Sequence, residues 1–322
     1  VVWVESQDAA VNDPFTEEEN LLLKGIDTRD GLGERALVSQ PANYTRPILS
    51  TDGETILFTR VGIKRKRDKG GKMISKERII DLYRTDWKGT PPVRITEGYV
   101  ASAWRDPATK EEWIYFTRNF KGRGNGFVAR ELCRFLLKDP NVQEVVFDGS
   151  LISPSDNIQL SRDGRYACAL LPWPKACAID LDASPPTVRQ LGNGCWPSMA
   201  PDESGLAWVF RGDHLGGTFS TAKNDFREVR FDAPCAKIGE TYHPRWTNHA
   251  RFMVLTGPYV PEKPGAMAIP SEGNHPDVFL GKFNETANQF EGWVQVSAPG
   301  LPKAAPDAWI EGGEKSSLHL AP

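Results

Sequence analysis

"RPILSTDGETILFTR", Arg46 to Arg60, decides the fold. It reads as a short strand, a Ser-Thr-Asp-Gly turn and a second strand of alternating apolar residues. The same phrase returns as "SAWRDPATKEEWIYFTR" from Ser102, "NIQLSRDGRYACALL" from Asn157, "WPSMAPDESGLAWVF" from Trp196 and "HPRWTNHARFMVLTG" from His243. Starts recur roughly every 40 to 55 residues, the period of a four-stranded unit.

A variable loop follows each phrase, then a third strand ("IIDLYRTD", "ACAIDLD", "DVFLGKF") and a fourth ("PVRIT", "TVRQL", "EVRF", "WVQVS"). Alternation in these runs is imperfect, as it is for strands covered on both faces by neighbouring sheets. The N-terminus offers "VVWV", "LLLKGI" and "RALVS", a unit without its first strand; the C-terminus offers "APDAWIE", a first strand without the rest. Joining them removes open sheet edges. The expectation is an all-β chain, a six-bladed β-propeller in one domain over 1–322. Blades are expected near 46–100, 101–153, 154–195, 196–242 and 243–300, with a closing blade from 1–45 and 301–312 and a tail over 313–322.

The Ser, Asp and Gly of the turn stand at Ser50, Asp52 and Gly53 and again at Ser161, Asp163 and Gly164. This phrase resembles the TolB-like (WD40-like Pro-Asp repeat) propeller family. The second, fourth and fifth copies depart from it with "RDPATKEE", "APDESG" and "TNHAR". The resemblance implies an extracytoplasmic protein, periplasmic or secreted, that binds partner proteins; propellers of similar build also serve as carbohydrate-active enzymes and peptidases. It speaks to fold far more than to function.

Composition agrees with a folded protein. Twenty-nine Gly and 25 Pro are spread along the chain, and ten Trp supply a sizeable core. A net charge of −3 gives no global pull toward nucleic acid or membrane. No apolar run reaches the ~18 residues of a membrane span, and the strand-like start "VVWVES" suggests a trimmed N-terminus. Five Cys lack metal-knuckle spacing. In "YACALLPWPKACAI" a hairpin closing on "LPWP" would set Cys168 opposite Cys177, either as a disulfide or as two small apolar residues facing each other.

Propeller geometry sorts the candidate site. Starts of first strands and loops between second and third strands share one face; turns between first and second strands lie on the other. His243 therefore belongs at a channel mouth and His249 in a turn on the far side. Arg46, Ala101, Asn157, Trp196, His243 and Ala305 should ring that mouth, with Arg245 and Trp173 nearby as ligand contacts and Trp246 in the core. His214 in "FRGDHLGG" and His275 in "EGNHPDV" fall on the same face, so His214, His243 and His275 with Asp213 and Asp277 are candidates for a divalent metal (Zn, Mn or Ca) or for acid-base work. Ordinary loop histidines are the plainer reading.

The stretch Gly62 to Arg78 carries eight Lys or Arg against two acidic residues, and "RNFKGRGNGFVAR" from Arg118 adds more. Both suit an anionic ligand, or a solvated hairpin; no aromatic interleaves the first, which disfavours nucleic acid. The "GRGNG" run joins two strands and so fails as a phosphate loop, and no Gly-x-Ser-x-Gly elbow occurs. Three functional readings follow. The first is a monomeric binding module recognising a glycan, peptide or partner protein through Trp196, Trp173, Arg46, Asn157, His243 and Arg245. The second is a metal-assisted polysaccharide lyase or glycoside hydrolase using His243, His214 and Arg245. The third is a scaffold domain of a larger protein.

Overall fold

The computed structural model describes residues 1–9, 19–67, 73–122, 127–210, 212–220, 226–264, 266, 268–269 and 275–319, with backbone alone for 65–67, 73–77, 218–220 and 226. It is a six-bladed β-propeller. Each blade is a four-stranded antiparallel sheet, and the two 3-10 turns among the described residues, Pro234–Lys237 and Gly313–Lys315, are the only helical pieces there. The inner strands are Tyr44–Leu49, Tyr99–Arg105, Gln159–Leu160, Cys195–Met199, Glu240–Trp246 and Lys303–Asp307. Each touches the next around a closed ring. The sixth blade is composite: Lys303–Asp307 pairs with Val2–Ser6, followed outward by Leu21–Gly25 and Arg35–Ala42.

A repeated device bends the inner strands. Arg46, Trp196, His243 and Ala305 have φ of 47°, 41°, 54° and 49°, and each precedes a proline: Pro47, Pro197, Pro244 and Pro306. The pairing register shifts at each of these places. Proline cannot donate to the ladder and is tolerated in a sheet at such bulges, so the dipeptide both breaks the pairing and bends the strand. The two remaining inner strands carry Ala101-Ser102 and Asn157-Ile158 there, and neither Ala101 nor Asn157 has positive φ.

The Ser-x-Asp-Gly turn survives in two copies for a packing reason. Gly53 and Gly164 both have φ of 76°, and a Cβ on either would lie 2.7 Å from Trp309 or 2.4 Å from Trp104. Each tryptophan belongs to the preceding blade and donates its Nε1 to the carbonyl two residues before the glycine, Trp309 to Thr51 at 2.9 Å and Trp104 to Arg162 at 2.8 Å. The blades that follow Leu49, Leu160 or Met199 lack that indole, and their turns have diverged.

Between the fourth and fifth blades Trp208 and Trp246 stack at 4.3 Å, both fully buried. At the ring seam the buried Lys303 ammonium bonds Asp277 at 2.9 Å and the Leu301 carbonyl at 2.6 Å, so the C-terminal strand is held to the fifth blade by a paired charge. The expected opposition of Cys168 and Cys177 is corrected by one residue: Cys168 pairs with Ala178 and Cys177 with Ala169. Adjacent strand residues face opposite ways, so the two thiols enter different core clusters and all five cysteines are free.

Two features exceed the plain blade. The second and third strands of the first blade, Thr55–Arg67 and Met73–Asp86, run 13 and 14 residues, against 5 and 6 in the third blade. The basic stretch is thus paired where it is described, Gly62 to Arg67 against Met73 to Arg78, while its residues 68–72 lie outside the described residues. On the opposite face, residues 308–319 cross the turns: Ile310 N donates to Asn248 Oδ1 at 2.7 Å, Ala250 N to Ser316 Oγ at 2.8 Å, Leu318 N to Asp202 Oδ2 at 2.7 Å and His319 N to the Glu285 carbonyl at 2.8 Å.

Candidate functional site

The axis is where the expected ring converges, and its polar groups bind one another. Arg46 Nη1 donates to Asn157 Oδ1 at 2.7 Å and its Nη2 to the Ser155 carbonyl, while Asn157 Nδ2 donates to the Pro244 carbonyl at 2.7 Å. Arg245 Nε donates to Asp307 Oδ1 at 2.9 Å and Nη2 to the Ala101 carbonyl at 3.2 Å. Asp307 Oδ2 accepts from Leu49 N at 2.8 Å. Gln159 Nε2 donates to the Trp246 carbonyl at 2.7 Å, and its Oε1 accepts from Ser198 Oγ. All six blades are cross-linked this way. The cavity left among Arg46, Pro47, Asn157, His243, Arg245, Ala305 and Pro306 has room for about one water. A roomier cavity lies toward the turn face, lined by Ser50, Ser102, Gln159, Asn248 and Trp309.

Burial sets the protonation of this centre. Desolvation, with a smaller push from Arg46, lowers His243 to about 3, so the imidazole is neutral at physiological pH; its Nδ1 lies 2.9 Å from Thr256 Oγ1. Desolvation raises Asp156 to about 7 although Arg46 opposes it, and its Oδ1 accepts from Asn157 N at 2.8 Å. Burial also lowers Arg245, against the attraction of Asp307.

The other candidates part company. His214, in the loop after the fourth blade's second strand, holds a left-handed φ of 53°, and its carbonyl accepts from Thr241 N at 3.0 Å and Oγ1 at 2.8 Å. Its Nδ1 lies 2.9 Å from both Glu240 Oε2 and Tyr242 OH, and that hydroxyl donates to the same carboxylate at 2.6 Å. His214 and His243 thus bond to different groups. His275 is exposed; Asp213 accepts from Leu215 N in its own turn at 3.2 Å, and Asp277 is engaged by Lys303. Among the described residues no group of three or more His, Cys, Asp and Glu is placed to hold a metal ion. His249 is a turn residue, its Nδ1 accepting from Arg251 N at 3.0 Å.

The two tryptophans differ as well. Trp196 is buried, its ring 5.2 to 5.6 Å from His243, Tyr242 and Phe210. Trp173 is 58% exposed yet fixed: its N donates to Ser153 Oγ at 3.1 Å and its Nε1 to Cys195 Sγ at 3.3 Å. Leu151, also exposed, sits two residues before that serine. Exposed Ile238 and Val260 lie on the same loop face, where a Cβ on Gly239 would be 3.2 Å from Val260.

Glu240, Tyr242, Asp156, Gln159 and Asp307 went unremarked in the sequence. A signal existed for two of them. "HPR" and "APD" align at the third position, so Arg245 and Asp307 are opposite charges at one repeat position in adjacent blades, as Gln159 and Ser198 are polar partners there.

No protein-family model matches the chain, and no curated protein matches it. Among solved structures the chain is similar to a TolB-assigned protein of Agrobacterium tumefaciens, with TM-score 0.52 and 12% identity over 97% of this chain and 95% of that one. Weaker likenesses include an oligogalacturonate lyase in complex with manganese (TM-score 0.43, 14% identity, 91% and 72% covered) and a prolyl endopeptidase (0.41, 12%, 88% and 40%). At such identities the likeness is one of fold.

Proposed function

We propose that this chain is an extracytoplasmic propeller binding module that recognises a glycan on the rim of its loop face. The observation that carries the reading is Trp173, an indole face open to solvent and held by hydrogen bonds at both its backbone and its ring nitrogen. A fixed aromatic plane offers stacking area to a sugar ring with little entropy left to lose. The axial arginines serve the blades instead: both Nη groups of Arg46 and the Nε and Nη2 of Arg245 donate to Asn157, Asp307 and backbone carbonyls. The test is tryptophan fluorescence titration against a glycan panel. Trp173→Ala, with an unchanged melting temperature, should weaken binding roughly tenfold, the scale of one aromatic contact. Equal binding by the variant, or binding only to a protein partner, would remove the reading.

One observation favours a second, catalytic reading. His214 is oriented by Glu240 and Tyr242 as a histidine base is oriented by a carboxylate. Turnover of an acidic glycan that His214→Ala abolishes would support it; unchanged turnover, or none in the parent protein, would dismiss it.

A further inference from the structure

Two guanidinium groups meet at the axis, and they are not equally paired. Arg245 Nε donates to Asp307 Oδ1 at 2.9 Å. Arg46, 4% exposed, donates from Nη1 to the Asn157 amide oxygen at 2.7 Å and from Nη2 to the Ser155 carbonyl, both neutral acceptors. Among the described residues its guanidinium bonds no carboxylate. A buried cation without a counterion is costly, so a negative charge belongs beside it.

Arg245 makes the need sharper. Its Nη1 lies 3.5 Å from the same Asn157 Oδ1 that Arg46 uses, so one amide oxygen serves two like charges and brings the two Nη1 atoms within the sum of those two distances. Two acidic groups nearby are otherwise engaged. Asp156 accepts from Asn157 N at 2.8 Å, and burial raises it to about 7 although Arg46 opposes the rise, so it is only partly ionised at neutral pH. The Tyr99 hydroxyl is bonded to Thr45 Oγ1 at 2.8 Å, and burial raises it further from ionisation.

The same groups enclose a space. Arg46, Asn157, His243 and Arg245, with two prolines and an alanine, line a cavity with room for about one water, and no carboxylate is among the lining residues. Arg46 Nε is buried, and none of the described residues accepts its hydrogen. Asn157 is spent, its Oδ1 on the arginines and its Nδ2 on the Pro244 carbonyl. Proline brings no N–H, so the wall offers an occupant two guanidinium groups and an imidazole set in hydrocarbon.

We infer that the axis is a halide site, in which one chloride ion accepts from Arg46 Nε and from Arg245 Nη1. The cavity is too small for a carboxylate, sulfate or phosphate and admits a single atom. A water would accept the Nε hydrogen but bring no charge, and its own hydrogens would need acceptors where the wall is cationic. The ion supplies the missing counter-charge, relieves the repulsion between the guanidinia and ties the first blade to the fifth. This site lies at the axis and not on the rim, so it goes beyond the glycan reading and stands or falls without it.

The test is thermal unfolding of the whole chain in sodium chloride against sodium gluconate at equal ionic strength, which holds surface screening constant. A ligand held by the folded state alone raises the melting temperature by about 2–4 °C for each tenfold rise above its dissociation constant. In the parent the chloride slope should exceed the gluconate slope by that amount, and bromide should act as chloride does. In Arg46→Met the chloride and gluconate slopes should coincide. Equal slopes in the parent, or the same chloride excess in Arg46→Met, would overturn the inference. Should that variant fail to fold, crystals of the parent grown in sodium bromide decide the matter. An anomalous peak is expected within hydrogen-bond reach of Arg46 Nε; a cavity filled by water, with bromide absent from it, would overturn the inference.

Discussion

Arg245 and Asp307 meet across the propeller axis, Nε to Oδ1 at 2.9 Å, with Asp307 Oδ2 also taking the amide of Leu49. The pair joins the inner strand of the fifth blade to the C-terminal strand and to the first blade. It closes the ring from within, where both side chains are at most a tenth exposed.

Breaking the pair from one side leaves a buried charge without its counterion. Asp307→Ala should therefore cost about 3–5 kcal/mol in urea unfolding. The double variant Arg245→Met with Asp307→Leu should recover most of it, because two apolar groups need no partner. A loss under 1 kcal/mol for Asp307→Ala would mean that the pair does little to hold the ring.

The turn glycine beneath Trp104 is a second test. Gly164→Ala adds a Cβ 2.4 Å from the indole at a φ of 76°, so strain and overpacking act together and should destabilise by about 2–4 kcal/mol. Gly31 also has positive φ, but nothing lies within 4 Å of its Cβ position, so Gly31→Ala should lose only the conformational part, about 1 kcal/mol. Equal losses at the two sites would discard the Gly-Trp packing explanation for the two surviving turns.

The axis should also respond to pH in opposing ways. The folded state holds His243 deprotonated down to about 3 while the unfolded chain protonates near 6.5, so this group lowers stability as pH falls from 6.5 to 3. Asp156 is raised to about 7 from 3.8, so it lowers stability as pH rises from 4 to 7. Each slope is ~1.4 kcal/mol per pH unit at most, and the two largely cancel between 4 and 6.5. Asp156→Asn removes one of them. Relative to the parent, it should gain stability progressively from pH 4 to 7 and hold that gain above. A pH-independent difference would contradict the buried carboxyl.

Five free thiols are expected by reagent titration of the unreduced, denatured protein, with no change in melting temperature on adding reductant. In the native state modification should be slow, since burial raises the thiols at Cys133, Cys195 and Cys235 to about 12. Three titratable thiols instead of five would restore a disulfide.

The repeat was legible because turn chemistry is local: Ser50 Oγ donates to Asp52 Oδ1 and Gly53 N to the Ser50 carbonyl, all within four residues, so the motif stands in the string. Cys168 and Cys177 show the limit, since a slip of one residue in register moves a side chain to the other face and nothing within "LPWP" fixes that register. The aligned ring was legible as a ring. Its chemistry was not, because whether Arg46 and Arg245 meet a ligand or each other's neighbours depends on how far the bulged strands close the axis. Trp173 and Trp196 look alike in sequence; one is set outward by Ser153 and Cys195, the other sinks among Phe210, Tyr242 and His243. The Glu240, Tyr242 and His214 cluster joins a loop to the neighbouring blade's first strand, a contact that no spacing announces.

Hydrogen exchange with and without a saturating glycan from the panel tests the account most directly. Protection is expected in the loop segments 149–153 and 171–174, with the inner strands at Arg46, Asn157 and His243 unchanged. Protection confined to those inner strands, with the rim around Trp173 unaffected, would place the ligand on the axis and contradict it.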